Sequence, residues 1–264
     1  MKVIERNLQE IGKSLLVTLP KSWTKSMHLS KGSSIKISVS ETGNLMIAPE
    51  FTKKETRKET IITYDDYFAK RFFQAYFQGN EKITIKNPKN IHAFLNKFMN
   101  VQIIEEIKDK IVVKVFKIDE LSIEECLKRM FFLSLNIFDE SDKRRLKELK
   151  NSLIKFYYML VMQIRRFLSE GQFTEANQIS LLRATDLRMV AEKIERISEL
   201  LMNIERGKNL EQVKEFYNKS FNVFFNKEFD KSLPLMKEKK KFNFKNKDLQ
   251  LLFSYANSIG MLTK

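Results

Sequence analysis

The chain has 264 residues and a formal net charge of +15, with 43% hydrophobic residues and one cysteine, Cys126. That hydrophobic content suits a folded protein with one to three domains rather than a disordered one, and a lone cysteine excludes an intrachain disulfide. The basic excess favours an anionic partner such as nucleic acid or a membrane surface, with compositional bias towards lysine as the competing explanation.

Val3 to Leu8 alternate in polarity and predict a strand, and Gly12-Lys13 predicts a turn. Leu15, Leu16, Val17 and Leu19 predict a second strand. Pro20 suits the first turn of a helix, where its missing N–H would be unpaired anyway, and Lys21 to His28 follows as a short helix anchored by Trp23. After Lys31-Gly32, the alternation of Ile35, Ile37 and Val39 predicts a strand that turns at Thr42-Gly43-Asn44 into Leu45, Met46 and Ile47. So small a segment cannot bury a core alone, and its basic residues suit a polyanion. It predicts an intertwined, DNA-binding dimer module.

Glu50 to Thr60 (EFTKKETRKET) is almost wholly polar and charged and reads as a linker. Ile61 to Tyr64 predicts a strand, Asp65 to Tyr76 a helix stopped at Gly79-Asn80, and Ile83 to Ile85 a strand. Ile91 to Met99 predicts a short helix capped by Asn90, and Val101 to Val115 a strand hairpin. The aromatic run of the longer helix, Tyr67 to Phe77, suits either a packed core or stacking on bases. From Ser122 onward the helical period dominates. Helices are expected around Leu127 to Phe138, over 143–168 and 174–204 with Gly171 between them, over 210–225 and over 249–261. Asp230 to Lys247, with Pro234 and the run KEKKK at Lys237 to Lys241, reads as an exposed loop that adds at most nonspecific DNA affinity. The expected class is α+β: a β-rich module at 1–50, a mixed α/β region at 51–118 and a helical bundle at 119–264.

Chemistry-bearing motifs are few. His28 and His92 lie far apart, there is no Cys/His zinc pattern, and neither GxGxxG nor GxxxxGK[ST] occurs. No apolar window is long enough to span a bilayer and no signal-peptide pattern opens the chain, so a cytoplasmic protein that is not an enzyme is expected. Cys126 precedes an apolar run and reads as packed. The cations of the N-terminal module, Lys2, Arg6, Lys13, Lys21 and Lys25, sit at strand starts, a loop and the short helix. There they can neutralise phosphates or merely coat a solvated surface.

The run through Arg6, Leu8, Gln9, Gly12, Ser14, Val17, Pro20, Lys21, Gly32 and Ile37 resembles the SpoVT/AbrB-type swapped-hairpin DNA-binding domain over about 47 residues. The resemblance implies a homodimer with interleaved hairpins that holds double-stranded DNA through Arg6, Lys13 and Lys21, joined by Lys2 and Lys25. Lys13 stands where many members carry arginine, and an ammonium cannot make arginine's two-pronged guanine contact. From about residue 58 onward, AKRFFQAYFQGNEKITI, LSIEECLKRMFFLSL and EKIERISELLMNI resemble PhoU-like regulators of the kind that carry such a module in archaea. That resemblance implies a link to phosphate uptake, a phosphate transporter or sensor as an alternative partner, and a divalent or ferric ion held at Glu195 and Glu199. Helical geometry puts Arg188, Glu192, Glu195 and Glu199 on one arc, with Leu187, Val190, Ile194, Ile197, Leu201 and Ile204 opposite. Two carboxylates four residues apart suit a hard cation, and the same stripe equally suits an ordinary charged face paired at i,i+4.

Overall fold

The computed structural model describes residues 4–39, 43–50, 59–118, 121–170, 179–239 and 242–263. The chain is mixed α and β, with a small β region at its N-terminus and helices towards its C-terminus. It divides into two compact units, 1–56 and 57–264.

In the first unit, β1 (Gln9–Ile11) and β2 (Ser14–Leu16) form an antiparallel hairpin in which Ile11 faces Ser14. The two-residue turn is Gly12-Lys13, and Gly12 has φ +65°, which a primed hairpin turn requires and glycine adopts without strain. Strand pairing therefore begins at the residues flanking this turn. That moves the first strand C-terminal to the expected Val3 to Leu8 stretch, whose described residues are not paired. Helix α1 (Lys21–Ser26) follows Pro20, which stands at the N-cap rather than inside the first turn; its carbonyl accepts from the Thr24 N–H at 3.0 Å. Strands β3 (Ile35–Val39) and β4 (Leu45–Pro49) pair antiparallel, with Ile37 opposite Ile47. Not one described residue of 4–50 is buried.

The second unit opens with a four-stranded sheet: β5 (Glu59–Thr63), β6 (Lys82–Lys86), β7 (Val101–Ile107) and β8 (Lys110–Val115), in spatial order β5-β6-β8-β7. β5 and β6 run parallel, joined through α2 (Phe68–Phe77); β8 runs antiparallel to both its neighbours. One sheet face (Ile62, Ile83, Ile85, Ile111, Val113, Val115) packs with Phe68, Phe72 and Tyr76 of α2 and with Leu95 and Phe98. The expected 91–99 helix shortens to α3 (His92–Leu95), and Ile91, not Asn90, occupies the N-cap. Asn90 is bent into positive φ (+22°), so its side chain makes no cap. The Tyr76 hydroxyl donates to Asn100 Oδ1 at 2.8 Å, and Asn100 Nδ2 donates to the Phe116 carbonyl at 2.7 Å.

Six helices follow among the described residues: α4 (Ile123–Asp139), α5 (Lys143–Glu170), α6 (Leu181–Leu200), α7 (Lys208–Phe225), α8 (Phe229–Lys239) and α9 (Lys247–Gly260). Ser122 and Glu125 start α4 with a reciprocal capping box, the S-x-x-E signature. α4, α5 and α6 pack pairwise, as do α7, α8 and α9, and α4–α7 and α6–α9 contacts join the two sets. One core runs through all six, and the Tyr158 ring of α5 stacks on Phe98 of the sheet layer with centroids 5.1 Å apart. Residues 171–178, with the expected break at Gly171 and the expected helix start near 174, lie outside the described residues.

The loop expected over Asp230 to Lys247 is corrected: most of it is helix α8. Pro234 removes one backbone hydrogen bond from that helix, which costs of order ~3 kcal/mol in an isolated helix. Ser232 and Leu235, buried one turn apart, carry α8 onto its neighbours and offset the loss. Gly260 of α9 makes this approach close. A Cβ there would stand 2.7 Å from Leu235 Cδ2 and 3.5 Å from Ser220 Cβ.

Candidate nucleic-acid interface and the acidic helix pair

The N-terminal cations occupy four distinct points of their unit. Arg6 stands three residues before β1, and its guanidinium donates to the Glu5 carbonyl at 3.2 Å. Lys13 is at the tip of the β1–β2 hairpin, the far end from Arg6. Lys21 and Lys25 are the first and fifth residues of α1, one helical turn apart on one face. All four are exposed, and among the described residues none is in an ion pair. Lys25 lies in the last turn of α1, where the helix dipole favours a cation. Lys2 lies outside the described residues.

The strands beside these cations are apolar and open. Leu8, Ile11, Leu15, Ile37, Val39 and Leu45 are each more than half exposed, between 58% and 68%. Trp23 is half-buried. Large apolar side chains exposed in this number on so small a unit suit an interaction surface.

Glu195 and Glu199 do meet, and a lysine stands between them. Lys150 of α5 places its Nζ 3.0 Å from Glu195 Oε1, 2.8 Å from Glu199 Oε2 and 2.9 Å from Ser198 Oγ. Its side chain is 8% exposed, against 20% for Glu195 and 62% for Glu199. A fourth acceptor, the Glu195 carbonyl, lies 3.3 Å away. The ammonium thus has four oxygen partners and takes the place a cation would hold. Hard cations need six or more oxygens, whereas two carboxylates already neutralised by an ammonium do not fit one. Among the described residues no cluster of three His, Cys, Asp or Glu side chains is placed to hold a metal ion. The Arg188–Glu192 pair forms at 3.5 Å, with Arg188 also over the Tyr157 ring at 5.2 Å. The expected apolar face is buried: Leu187, Val190, Ile194 and Ile197 on α6, and Leu201 and Ile204 just beyond its end.

Lys150 was not legible as a partner from the acidic residues alone. Its signal lies in its own helix, where it falls in the apolar stripe of Leu146, Leu149 and Leu153, a position that buries a charge only when paired.

The remaining motifs resolve into packing. Phe68, Phe72 and Tyr76 of the aromatic helix lie in the sheet core, and of the aromatic rings between Tyr67 and Phe77 only that of Tyr67 stands well exposed. Cys126 is buried, its thiol donates to Gln163 Oε1 at 3.5 Å, and burial pushes its pKa up to about 12. Lys237 lies in the second half of α8, and 240–241 fall outside the described residues. Among the described residues no helix is long and apolar enough to cross a membrane.

No protein-family model, no curated protein and no solved structure matches the chain.

Proposed function

We propose that the chain is a DNA-binding transcription regulator, linked to phosphate uptake, that works as a homodimer through its N-terminal unit. The observation carrying this reading is the absence of any buried residue among the described part of 4–50, beside exposed Leu, Ile and Val strands and exposed cations without ion pairs. A lone hairpin pair of this size has too little apolar surface to stand alone. A second copy that interleaves its hairpins supplies the missing core, as the swapped-hairpin resemblance implies. Arg6, Lys13 and Lys21, joined by Lys2 and Lys25, then supply phosphate contacts. The PhoU-like resemblance implies two three-helix repeats, and the packing of α4–α6 and α7–α9 as two sets of three helices supports that reading of the second unit. That unit would report the signal.

The test is fluorescence anisotropy with genomic duplex fragments across a salt series, with residues 1–50 present and deleted. Tight, salt-dependent binding lost on deletion is expected, together with a dimer by light scattering that becomes a monomer on deletion. Lys21→Gln should flatten the salt slope by about one unit, the contribution of one phosphate contact. No binding at low salt overturns the reading.

A second reading, a PhoU-like adaptor that docks on a phosphate transporter or sensor, is favoured by one observation. Phe229, Leu233 and Met236 form an exposed apolar row on α8 at 55%, 54% and 39%. Retention of a transporter subunit by the full chain, with no retention of DNA, would select it.

A further inference from the structure

The face of the four-stranded sheet turned away from its core carries an arrangement of lysines that its own stability does not explain. Successive strand residues alternate between faces. Because Ile83, Ile85, Ile111 and Val113 point into the core, Lys82 and Lys86 of β6 and Lys110 and Lys114 of β8 lie on the other side. The register puts Lys82 directly opposite Lys114 and Lys86 directly opposite Lys110. Like charges directly opposite in an antiparallel pair are destabilising. Val112, between Lys110 and Lys114 on the same face, is buried, so the lysines border an apolar centre and their ammonium groups suit an anionic occupant.

The neighbouring strands relieve only half of the repulsion. Glu59 pairs with Lys82 at 3.4 Å and Glu105 with Lys110. Lys86 and Lys114 are exposed, and among the described residues neither is in an ion pair; Lys114 lies over the Phe116 ring at 5.0 Å. Two ammonium groups outside any ion pair therefore stand diagonally on one face of the sheet. The two lysine pairs are four residues apart along β6, about 13 Å at the strand's rise. That spacing is close to the ~12 Å width of the DNA major groove, so the pairs can reach phosphates on both of its margins.

We propose that this sheet face is a second phosphate-contact surface for double-stranded DNA, formed by Lys86 and Lys114 with Lys82 and Lys110 in support. The proposal rests on the reading of the chain as a DNA-binding protein and adds a surface outside the N-terminal unit. An acidic protein segment is the competing occupant. The groove-scale spacing and a net charge of +15 over the whole chain favour the duplex.

The experiment measures anisotropy of a labelled duplex with the full chain across a potassium chloride series. It compares wild type, the double variant Lys86→Gln/Lys114→Gln and the triple variant Arg6→Gln/Lys13→Gln/Lys21→Gln. Two lost phosphate contacts should lower the salt slope by about 1.8 and weaken binding about 30-fold at ~0.15 M salt. Thermal unfolding at low salt supplies a readout independent of DNA. Because repulsion is relieved, the double variant should melt above wild type, with a gain that fades as salt screens the charges. An unchanged slope in the double variant overturns the sheet proposal and leaves the N-terminal reading standing. A triple variant that binds like wild type overturns the N-terminal reading instead. Failure of the wild-type chain to bind duplex overturns both. A double variant that melts below wild type at low salt overturns the account of the lysine pairs as a cost borne for binding.

Discussion

Replacing Lys150 with methionine tests the acidic pair of α6. The stem stays packed, while the ammonium and its four oxygen contacts disappear. Breaking a fully buried ion pair by removing one partner costs ~3–5 kcal/mol. Here the surviving carboxylates keep some water, Glu195 at 20% exposure and Glu199 at 62%, so about 2 kcal/mol is expected. For a unit of about 200 residues, ~1 kcal/mol moves the melting temperature by ~2–4 °C, which gives a loss of ~4–8 °C. The two carboxylates should not respond equally. Glu195→Gln strips charge from the more enclosed partner and should cost about 1–2 kcal/mol, while Glu199→Gln acts on an exposed group and should cost less than ~1 kcal/mol. Thermal unfolding followed by far-ultraviolet circular dichroism reads all three. The reasoning fails if Lys150→Met melts with wild type, or if Glu199→Gln costs as much as Lys150→Met. It also fails if a divalent or ferric ion raises the wild-type melting temperature, because a metal would then have displaced the ammonium.

Asn100→Leu leaves the buried Tyr76 hydroxyl and the Phe116 carbonyl without their partner, and urea unfolding should report a loss of ~2–4 kcal/mol from the two unmet groups. Gly260→Ala pushes a methyl group against Leu235 and should cost ~1–3 kcal/mol; adding Leu235→Ala should cost less in that background than in wild type, by a double-mutant cycle. Cys126, whose pKa burial raises from 9.0 to about 12, stays protonated in the fold where the unfolded thiol ionises. Its contribution is complete below pH ~9 and is lost as pH rises towards ~12, so Cys126→Ala should flatten the alkaline fall in stability, measured by urea midpoints against pH. In the native state the same thiol should resist a disulfide reagent at pH ~8 and react on unfolding.

Much of the second unit was legible because its signals are local. The Ser122–Glu125 box announces α4, the alternation of Ile83 and Ile85 announces β6, and the stripe from Leu187 to Ile204 announces the buried side of α6. What escaped was decided by contacts between distant segments. Pro234 and the lysine run argue locally for a loop, and only the docking of Leu235 against Gly260 turns that stretch into helix. The strand order β5-β6-β8-β7 and its register follow from which strands share a core, so Lys82 facing Lys114 is invisible until β6 and β8 are paired. Likewise Glu195 and Glu199 invite a cation by spacing alone. That the cation is Lys150, 45 residues earlier, depends on the packing of α5 against α6.

The two units place opposite demands on folding, and this bears on how the chain would meet DNA. The second unit buries its own cores and needs no partner to do so. The first buries none of its described residues. Where a folded unit exists only as a dimer, its stability cannot be separated from protomer concentration. On the proposed reading, dilution should therefore unfold the N-terminal unit while the helices stay intact, and a duplex that binds only the dimer should restore it. Fluorescence of Trp23, the one tryptophan of the chain, reports that unit alone. A Trp23 signal that shifts with dilution, and shifts back on adding duplex, would tie dimerisation to DNA binding. A signal constant across both would mean the unit is folded as a monomer, and the exposed strands would then need a different partner.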